Sequence, residues 1–133
     1  MTTINLLQAY ELLALQEELS NEEILQQVKD QQIGEWATLI SEWPMEELAK
    51  LATDEAAFTH ALAGDYNISY ITMPGLTNLL AKRFALQKGT DFIVTDSAIT
   101  ALQLTDEQQV QVSQMLSSNW QLIKGDKGFT ITM

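Results

Sequence analysis

Apolar residues in the first half of the chain recur every three or four positions, which is the period of an amphipathic helix. Helix-start signals accompany them: Ser20 followed by Glu23 is a capping-box pair, and Pro44 suits the first turn of a helix. The pattern predicts about five helices in residues 1–64, at approximately 3–19, 21–32, 36–43, 44–52 and 54–62. This half is therefore predicted to be all-helical.

Strand-favouring residues enter the pattern after Asp65. Residues 65–74 are rich in tyrosine, isoleucine and threonine and predict a strand or an extended linker, which Pro74 and Gly75 interrupt. Helical spacing returns over 76–86, and the apolar run 92–95 predicts a short buried strand.

Two further helices are predicted before the last residues. Asp96 or Ser97 caps a short helix that holds Ile99 and Leu102, and Thr105 opens a longer helix as part of a second capping-box pair. The final fifteen residues predict a β-hairpin. Its loop is predicted as 126–128, a type I turn followed by a glycine bulge.

These elements predict an α+β fold that is mainly α. Residues 1–64 form an acidic helical subdomain, 65–74 a linker or strand, and 75–133 an α+β subdomain, all in one compact unit. The predicted order over 75–133 is helix, strand, helix, helix, strand, turn, strand. That order resembles a winged-helix domain, with Asp106–Ser117 in the place of the recognition helix and Gly125–Gly128 at the wing tip. The resemblance lies in element order.

Composition fits a globular chain: 133 residues, 46% hydrophobic and 19% charged, with no cysteine. Disulfides and thiol chemistry are thereby excluded. The longest apolar run, Leu12–Leu15, is far short of the roughly 18 residues that span a membrane. A secretory signal begins with basic residues, and here no basic residue precedes Lys29. We therefore expect no membrane association and a cytoplasmic location.

Acidic charge is concentrated in the first part of the chain. Residues 1–74 hold thirteen acidic and two basic side chains, whereas 75–133 hold five of each. The net charge of −11 therefore belongs to the first part. Because each neutralised phosphate needs a Lys or Arg, this part is not expected to bind nucleic acid or anionic lipid. A basic protein partner remains compatible with it.

No catalytic, cofactor-binding or metal-binding residue is predicted. His60 is the only histidine, neither Asp54 nor Glu55 lies on its helical face, and no second histidine completes a zinc site. Adjacent carboxylates on a helix diverge by about 100°, and the six glycines form no phosphate-binding loop. His60 is therefore expected at the surface or in a structural role.

The first two tryptophans, Trp36 and Trp43, allow two interpretations. Trp36 and Trp43 are seven residues apart and so lie on one side of the predicted third helix. The first interpretation is that both are core residues. The alternative is a protein-binding patch, because tryptophan is enriched at interface hot spots. That patch would comprise Glu35, Trp36, Glu42, Trp43, Glu46 and Glu47.

Three functional hypotheses follow. The leading one is a small non-catalytic interaction or regulatory protein that binds a basic partner through its acidic helical face, with a second copy of the chain as another partner. The second is a winged-helix DNA-binding regulator, disfavoured because the helix at 106–117 has no Lys or Arg. The third is a small-ligand-binding protein or enzyme whose site is lined by His60, Tyr66, Tyr70 or Trp120.

Overall fold

The computed structural model describes all 133 residues. It divides into two compact units, Met1–Tyr66 and Asn67–Met133, here called the first unit and the second unit. The helices are α1 (Leu6–Glu18), α2 (Asn21–Lys29), α3 (Trp36–Leu39), α4 (Glu46–Ala52), α5 (Glu55–Leu62), α6 (Met73–Phe84) and α7 (Asp106–Met115), with a 3₁₀ turn at Ile33–Glu35. The strands are β1 (Thr2–Ile4), β2 (Tyr66–Ile68), β3 (Ile93–Val94), β4 (Ala98–Leu102), β5 (Gln121–Gly125) and β6 (Gly128–Thr132).

About half of the residues are helical and the chain contains two sheets, so the predicted α+β class is confirmed. Five helices are present in the first half, as predicted, but strand β1 precedes them and α1 begins only at Leu6, so the prediction that this half is all-helical was wrong. β1 pairs with β2, whose first residue, Tyr66, closes the first unit. No helix is both long enough and apolar enough to cross a membrane.

Backbone groups at both ends of helix α2 are paired by hydrogen bonds. The Ser20 hydroxyl accepts from the Glu23 N–H at 3.2 Å, and the Glu23 carboxylate accepts from the Ser20 N–H at 3.2 Å, so the predicted capping box is formed. At the other end Gln31 takes a left-handed φ of 58°, and the Gln32 N–H donates to the Gln27 carbonyl at 2.8 Å. These contacts satisfy backbone groups that a helix end leaves unpaired.

The third helix is shorter than predicted. α3 ends at Leu39, and Ile40 is already extended, so Trp43 does not lie on the same helix as Trp36. Proline disfavours helical backbone in the residue before it, which here is Trp43. The Trp43 ring instead packs against Tyr10 of α1, with ring centroids 5.3 Å apart. The prediction of a helix through residue 43 was therefore wrong.

Helix α4 begins at Glu46, two residues after Pro44. Its N-cap residue is Met45, which has a left-handed φ of 63° and no side chain that can cap. The cap is supplied by Glu11 from α1: the side chain is 1% exposed, and its carboxylate accepts from the Leu48 N–H at 2.9 Å. The Gln8 amide of α1 also donates to the Glu47 carbonyl at 3.2 Å. Polar groups on α1 therefore fix where α4 starts.

The second unit is built on a four-stranded antiparallel sheet in the order β3-β4-β6-β5. Ile99 faces Ile131 and Leu102 faces Phe129, and all four side chains are buried. Helix α7 begins after Thr105 with the predicted capping box, Thr105 and Gln108 bonding to each other's backbone N–H at 3.0–3.1 Å.

The prediction of a helix over 97–102 was wrong, because Ala98–Leu102 form strand β4. Ile99 and Leu102 are three residues apart, which matches a helical period. The pairing of β4 with β6 shifts between these two residues, and Ala101 has a φ of 53°, so a bulge brings both side chains to the same face of the sheet. A bulged strand thus produced the spacing of a helix.

The predicted hairpin is present as β5 and β6. Gly125 pairs directly with Gly128, so the connection is Asp126 and Lys127, shorter than the three residues predicted. Gly128 has a φ of 127°, and a Cβ there would lie 2.7 Å from the Leu102 carbonyl oxygen. Glycine is therefore required at this position by both conformation and space.

Candidate protein-binding surface

Trp36, one of the two predicted anchors, lies in the core of the first unit. Its side chain is 1% exposed and its ring stacks on Phe58 of α5, with centroids 5.8 Å apart. The indole N–H donates to the Gln27 side-chain oxygen of α2 at 2.7 Å. Trp36 therefore ties α3 to two other helices, as the core interpretation expects, and it is not an exposed anchor.

Trp43 is half-buried in the segment after α3. Its ring contacts Tyr10, and its indole nitrogen is buried without a hydrogen-bond partner. The two tryptophans therefore occupy different environments, and they do not form a common aromatic face on one helix.

The four glutamates of the predicted patch also differ among themselves. Glu35, Glu42 and Glu46 are exposed, and no ion pair involves them. Glu47 is partly buried and accepts a hydrogen bond from the Lys50 ammonium at 2.6 Å. That bond lowers the pKa of Glu47 and raises the pKa of Lys50. Glu35, Glu42 and Glu46 thus remain available to a partner, whereas Glu47 already has one.

A groove forms where α2 and α3 approach each other, and we call it the α2–α3 groove. Its volume is about 630 Å³. Its lining residues are Leu19, Gln27, Glu35, Trp36, Thr38 and Leu39. Leu39 is 46% exposed, whereas Trp36 is almost fully covered. The groove therefore combines an exposed aliphatic side chain and a carboxylate with a tryptophan fixed in the core behind them.

Carboxylates surround the first unit with little compensation. Residues 1–66 contain thirteen acidic side chains and two lysines, and one of these lysines is paired with Glu47. Ten of the carboxylates are exposed and have no ion-pair partner: Glu17, Glu18, Glu22, Glu23, Asp30, Glu35, Glu42, Glu46, Asp54 and Glu55. The second unit, with five acidic and five basic side chains, is neutral. The net negative charge thus belongs to the first unit.

His60 lies at the exposed end of α5. Its Nδ1 is 2.8 Å from the Asp65 carboxylate, and this hydrogen bond lowers the pKa of Asp65. A shallow pocket of about 460 Å³ beside it is lined by Glu55, Ala56 and Thr59. No group of three or more histidine, aspartate or glutamate side chains that could hold a metal ion is present.

The three aromatic residues that the third hypothesis places in a ligand site differ in their exposure. Tyr66 is buried and Tyr70 is exposed. Trp120 is buried, and its indole N–H donates to the Ile71 carbonyl at 2.7 Å. The single hydrogen-bond donor of Trp120 is therefore already used within the protein.

Of the residues that line the α2–α3 groove, the sequence pointed only to Glu35 and Trp36. Leu19 follows α1, Gln27 lies on α2, and Thr38 and Leu39 lie on α3. No local motif joins them, since the groove exists only because three segments converge. The available signal was the interruption at Gly34, which separates α2 from the short helix.

Comparison with protein-family models, with curated proteins and with solved structures finds no match.

Proposed function

We propose that this chain is a non-catalytic protein-interaction protein, and that its first unit binds a basic surface of a partner protein. One observation carries the proposal: ten of the fourteen exposed carboxylates without ion-pair partners lie in the first unit, where only two lysines oppose them, whereas the second unit balances five acidic with five basic side chains. Such a field steers oppositely charged partners and rejects acidic ones. The α2–α3 groove adds an apolar contact inside that field.

The test begins by capturing partners from a lysate of the source organism at low salt, with nuclease present, and purifying the protein that is retained. Its affinity is then titrated against the intact chain at several salt concentrations. We expect the affinity to fall steadily as salt rises, because exposed charge pairs are screened. Retention that disappears on nuclease treatment would contradict the proposal.

A matched pair of variants locates the binding charge. The first variant changes Glu35, Glu42 and Glu46 to Gln, because Glu47 is already paired with Lys50, and the control changes Asp96, Glu107 and Asp126 of the second unit to the corresponding amides. Both remove three negative charges. We expect the first variant to lose about tenfold or more in affinity and the control to lose much less. Equal losses would show that overall charge, and not the acidic surface of the first unit, governs binding.

A winged-helix DNA reader is the second candidate function. The hairpin β5–β6 favours it, because Lys124 and Lys127 are exposed there, at the position of a wing. Two observations disfavour it: strand β4 stands where the predicted element order has a helix before the recognition helix, and α7 carries Asp106 and Glu107 in its first turn and no cation. Titration with duplex DNA at low salt tests it, because non-specific binders usually show binding at micromolar concentrations.

A further inference from the structure

We infer that the α2–α3 groove accepts an amphipathic helix that carries aliphatic residues on one face and Lys or Arg beside them. This inference rests on the proposed function and specifies the segment that the partner supplies. It depends on the apolar side chains of the groove, on the charge at its rim, and on whether the lining favours a helical or an extended peptide.

The groove offers a firm apolar seat. Trp36 lies behind the groove, almost fully covered, and is held by stacking on Phe58 and by the hydrogen bond to Gln27. Leu39 at the lip leaves nearly half of its surface in water, and Leu19 is partly exposed. A partner's aliphatic side chain placed between these two leucines would bury apolar surface on both molecules, which is favourable.

The rim of the groove is acidic. Glu35 lines it directly, and Glu23 lies one helical turn before Gln27 and therefore on the same side of α2. Lys29, the nearest cation on α2, is two residues from Gln27 and so lies on the opposite side of the helix. A segment that enters the groove therefore meets negative charge without a competing lysine.

The walls favour a helical segment over an extended one. The lining residues come from the end of α1, from α2, from the 3₁₀ turn and from α3, so none of them offers a strand edge to which an extended peptide could add its backbone hydrogen bonds. A helix satisfies its own backbone groups and presents side chains at i, i+3, i+4 and i+7 to a groove. A second copy of the chain is disfavoured as occupant, because it would bring together two first units that each hold thirteen acidic and two basic side chains.

The test uses two synthetic peptides of about 15 residues, long enough to form a helix. Both contain only Leu, Lys and Ala in the same numbers. In one, the leucines follow the i, i+3, i+4, i+7 pattern, and in the other they are spread around the helix. Binding to the full chain is measured by isothermal titration at two salt concentrations. We expect the amphipathic peptide to bind at least tenfold more tightly than its scrambled partner.

Leu39→Glu is the decisive variant, because it removes the aliphatic lip while adding negative charge. Leu7→Glu is its control: Leu7 on α1 is 49% exposed, close to the 46% of Leu39, and it does not line the groove. We expect Leu39→Glu to weaken the amphipathic peptide about tenfold or more and Leu7→Glu to leave its binding unchanged or slightly tighter. Leu39→Asn, with the fold checked by circular dichroism, repeats the test without added charge.

The outcomes separate the two proposals. Equal binding of both peptides, or equal effects of Leu39→Glu and Leu7→Glu, would overturn the groove inference and leave the acidic surface as an unspecific docking site. Binding that tightens with Leu39→Glu would do the same. Failure of the amphipathic peptide to bind at low salt would also overturn the groove inference, whereas the proposed function is decided separately by the salt dependence of the captured protein.

Discussion

Four residues other than glycine adopt a left-handed backbone, and each marks a place where the chain changes direction. Gln31 ends α2, Met45 precedes α4, Ala85 ends α6 and Ala101 forms the bulge in β4, with φ between 53° and 63°. An L-residue with a Cβ loses about 1–2 kcal/mol in this conformation. These turns are therefore held by the packing around them rather than by the preference of the residue itself.

Ala85 gives a direct test of that strain, because its side chain is exposed and makes no packing contribution of its own. We expect Ala85→Gly to raise the free energy of unfolding by about 0.5–1 kcal/mol, since glycine adopts this cap conformation freely. The matched control is Ala81→Gly, also exposed but inside α6, which is expected to cost about 1 kcal/mol. Urea unfolding measures both, and a destabilised Ala85→Gly variant would refute the interpretation.

The hydrogen bond between His60 and Asp65 makes the stability of the fold depend on pH. It holds the pKa of Asp65 below the ordinary value of 3.8. A carboxyl group whose pKa is lower in the folded state stabilises the fold at any pH above its unfolded-state pKa. That contribution is lost as the pH falls through its folded-state pKa. We expect Asp65→Asn to flatten the decline of unfolding temperature below about pH 4. Asp30→Asn is the control, and an identical decline in both variants would contradict the assignment.

Among the elements, α4 shows most clearly how one helix can fix the start of another. The side chain of its own N-cap residue, Met45, makes no capping hydrogen bond, and three polar residues at intervals of three positions take over: Asn5 just before α1, and Gln8 and Glu11 on it. Asn5 and Gln8 reach Glu47, and Glu11 reaches the Leu48 N–H. A helix whose own sequence lacks a cap is thus started by its neighbour.

Removing the Glu11 carboxylate tests this arrangement. Glu11→Ala leaves the Leu48 N–H unpaired in a buried site, which we expect to cost about 1–3 kcal/mol of unfolding free energy. Glu11→Gln keeps an oxygen acceptor and is expected to cost much less. Glu17→Ala on the exposed side of α1 provides the baseline. If Glu11→Ala and Glu17→Ala were equally stable by chemical unfolding, the capping role would be excluded.

At the scale of the whole molecule, charge is the main asymmetry. The first unit holds thirteen acidic and two basic side chains and the second holds five of each. Ten exposed carboxylates have no ion-pair partner, and several are neighbours in sequence across the turn from α1 to α2. Like charges held close together destabilise a compact state, so the acidic surface costs stability that a partner of opposite charge would restore.

The repulsion makes stability depend on salt. The screening length falls from about 30 Å at 0.01 M to about 8 Å at 0.15 M, so we expect the unfolding temperature to rise between these concentrations. Changing Glu17, Glu18 and Glu22 to Gln is expected to raise the unfolding temperature at low salt and reduce its salt dependence. Differential scanning calorimetry in NaCl measures both effects. A salt response that is the same in the variant and the intact chain would show that repulsion at the α1–α2 turn is not its source.

Sequence alone determined whatever depends on neighbours along the chain. The helical period gave five helices in the first half, the capping pairs at Ser20 and Thr105 placed two helix starts, and the final glycines indicated the hairpin. These features are local, because the hydrogen bonds that make them join residues only a few positions apart. The assignment of the net negative charge to the first unit also needs nothing beyond counting.

Tertiary structure alone decided the features that depend on residues brought together from distant positions. The bulge in β4 gave Ile99 and Leu102 a helical spacing on a strand, and only pairing with β6 revealed it. The burial of Trp36, its bond to Gln27 and the exposure of Leu39 arise where separate helices converge. A single sequence reports the period of each segment but not which segments meet, and for that reason it predicted the acidic surface and missed the groove within it.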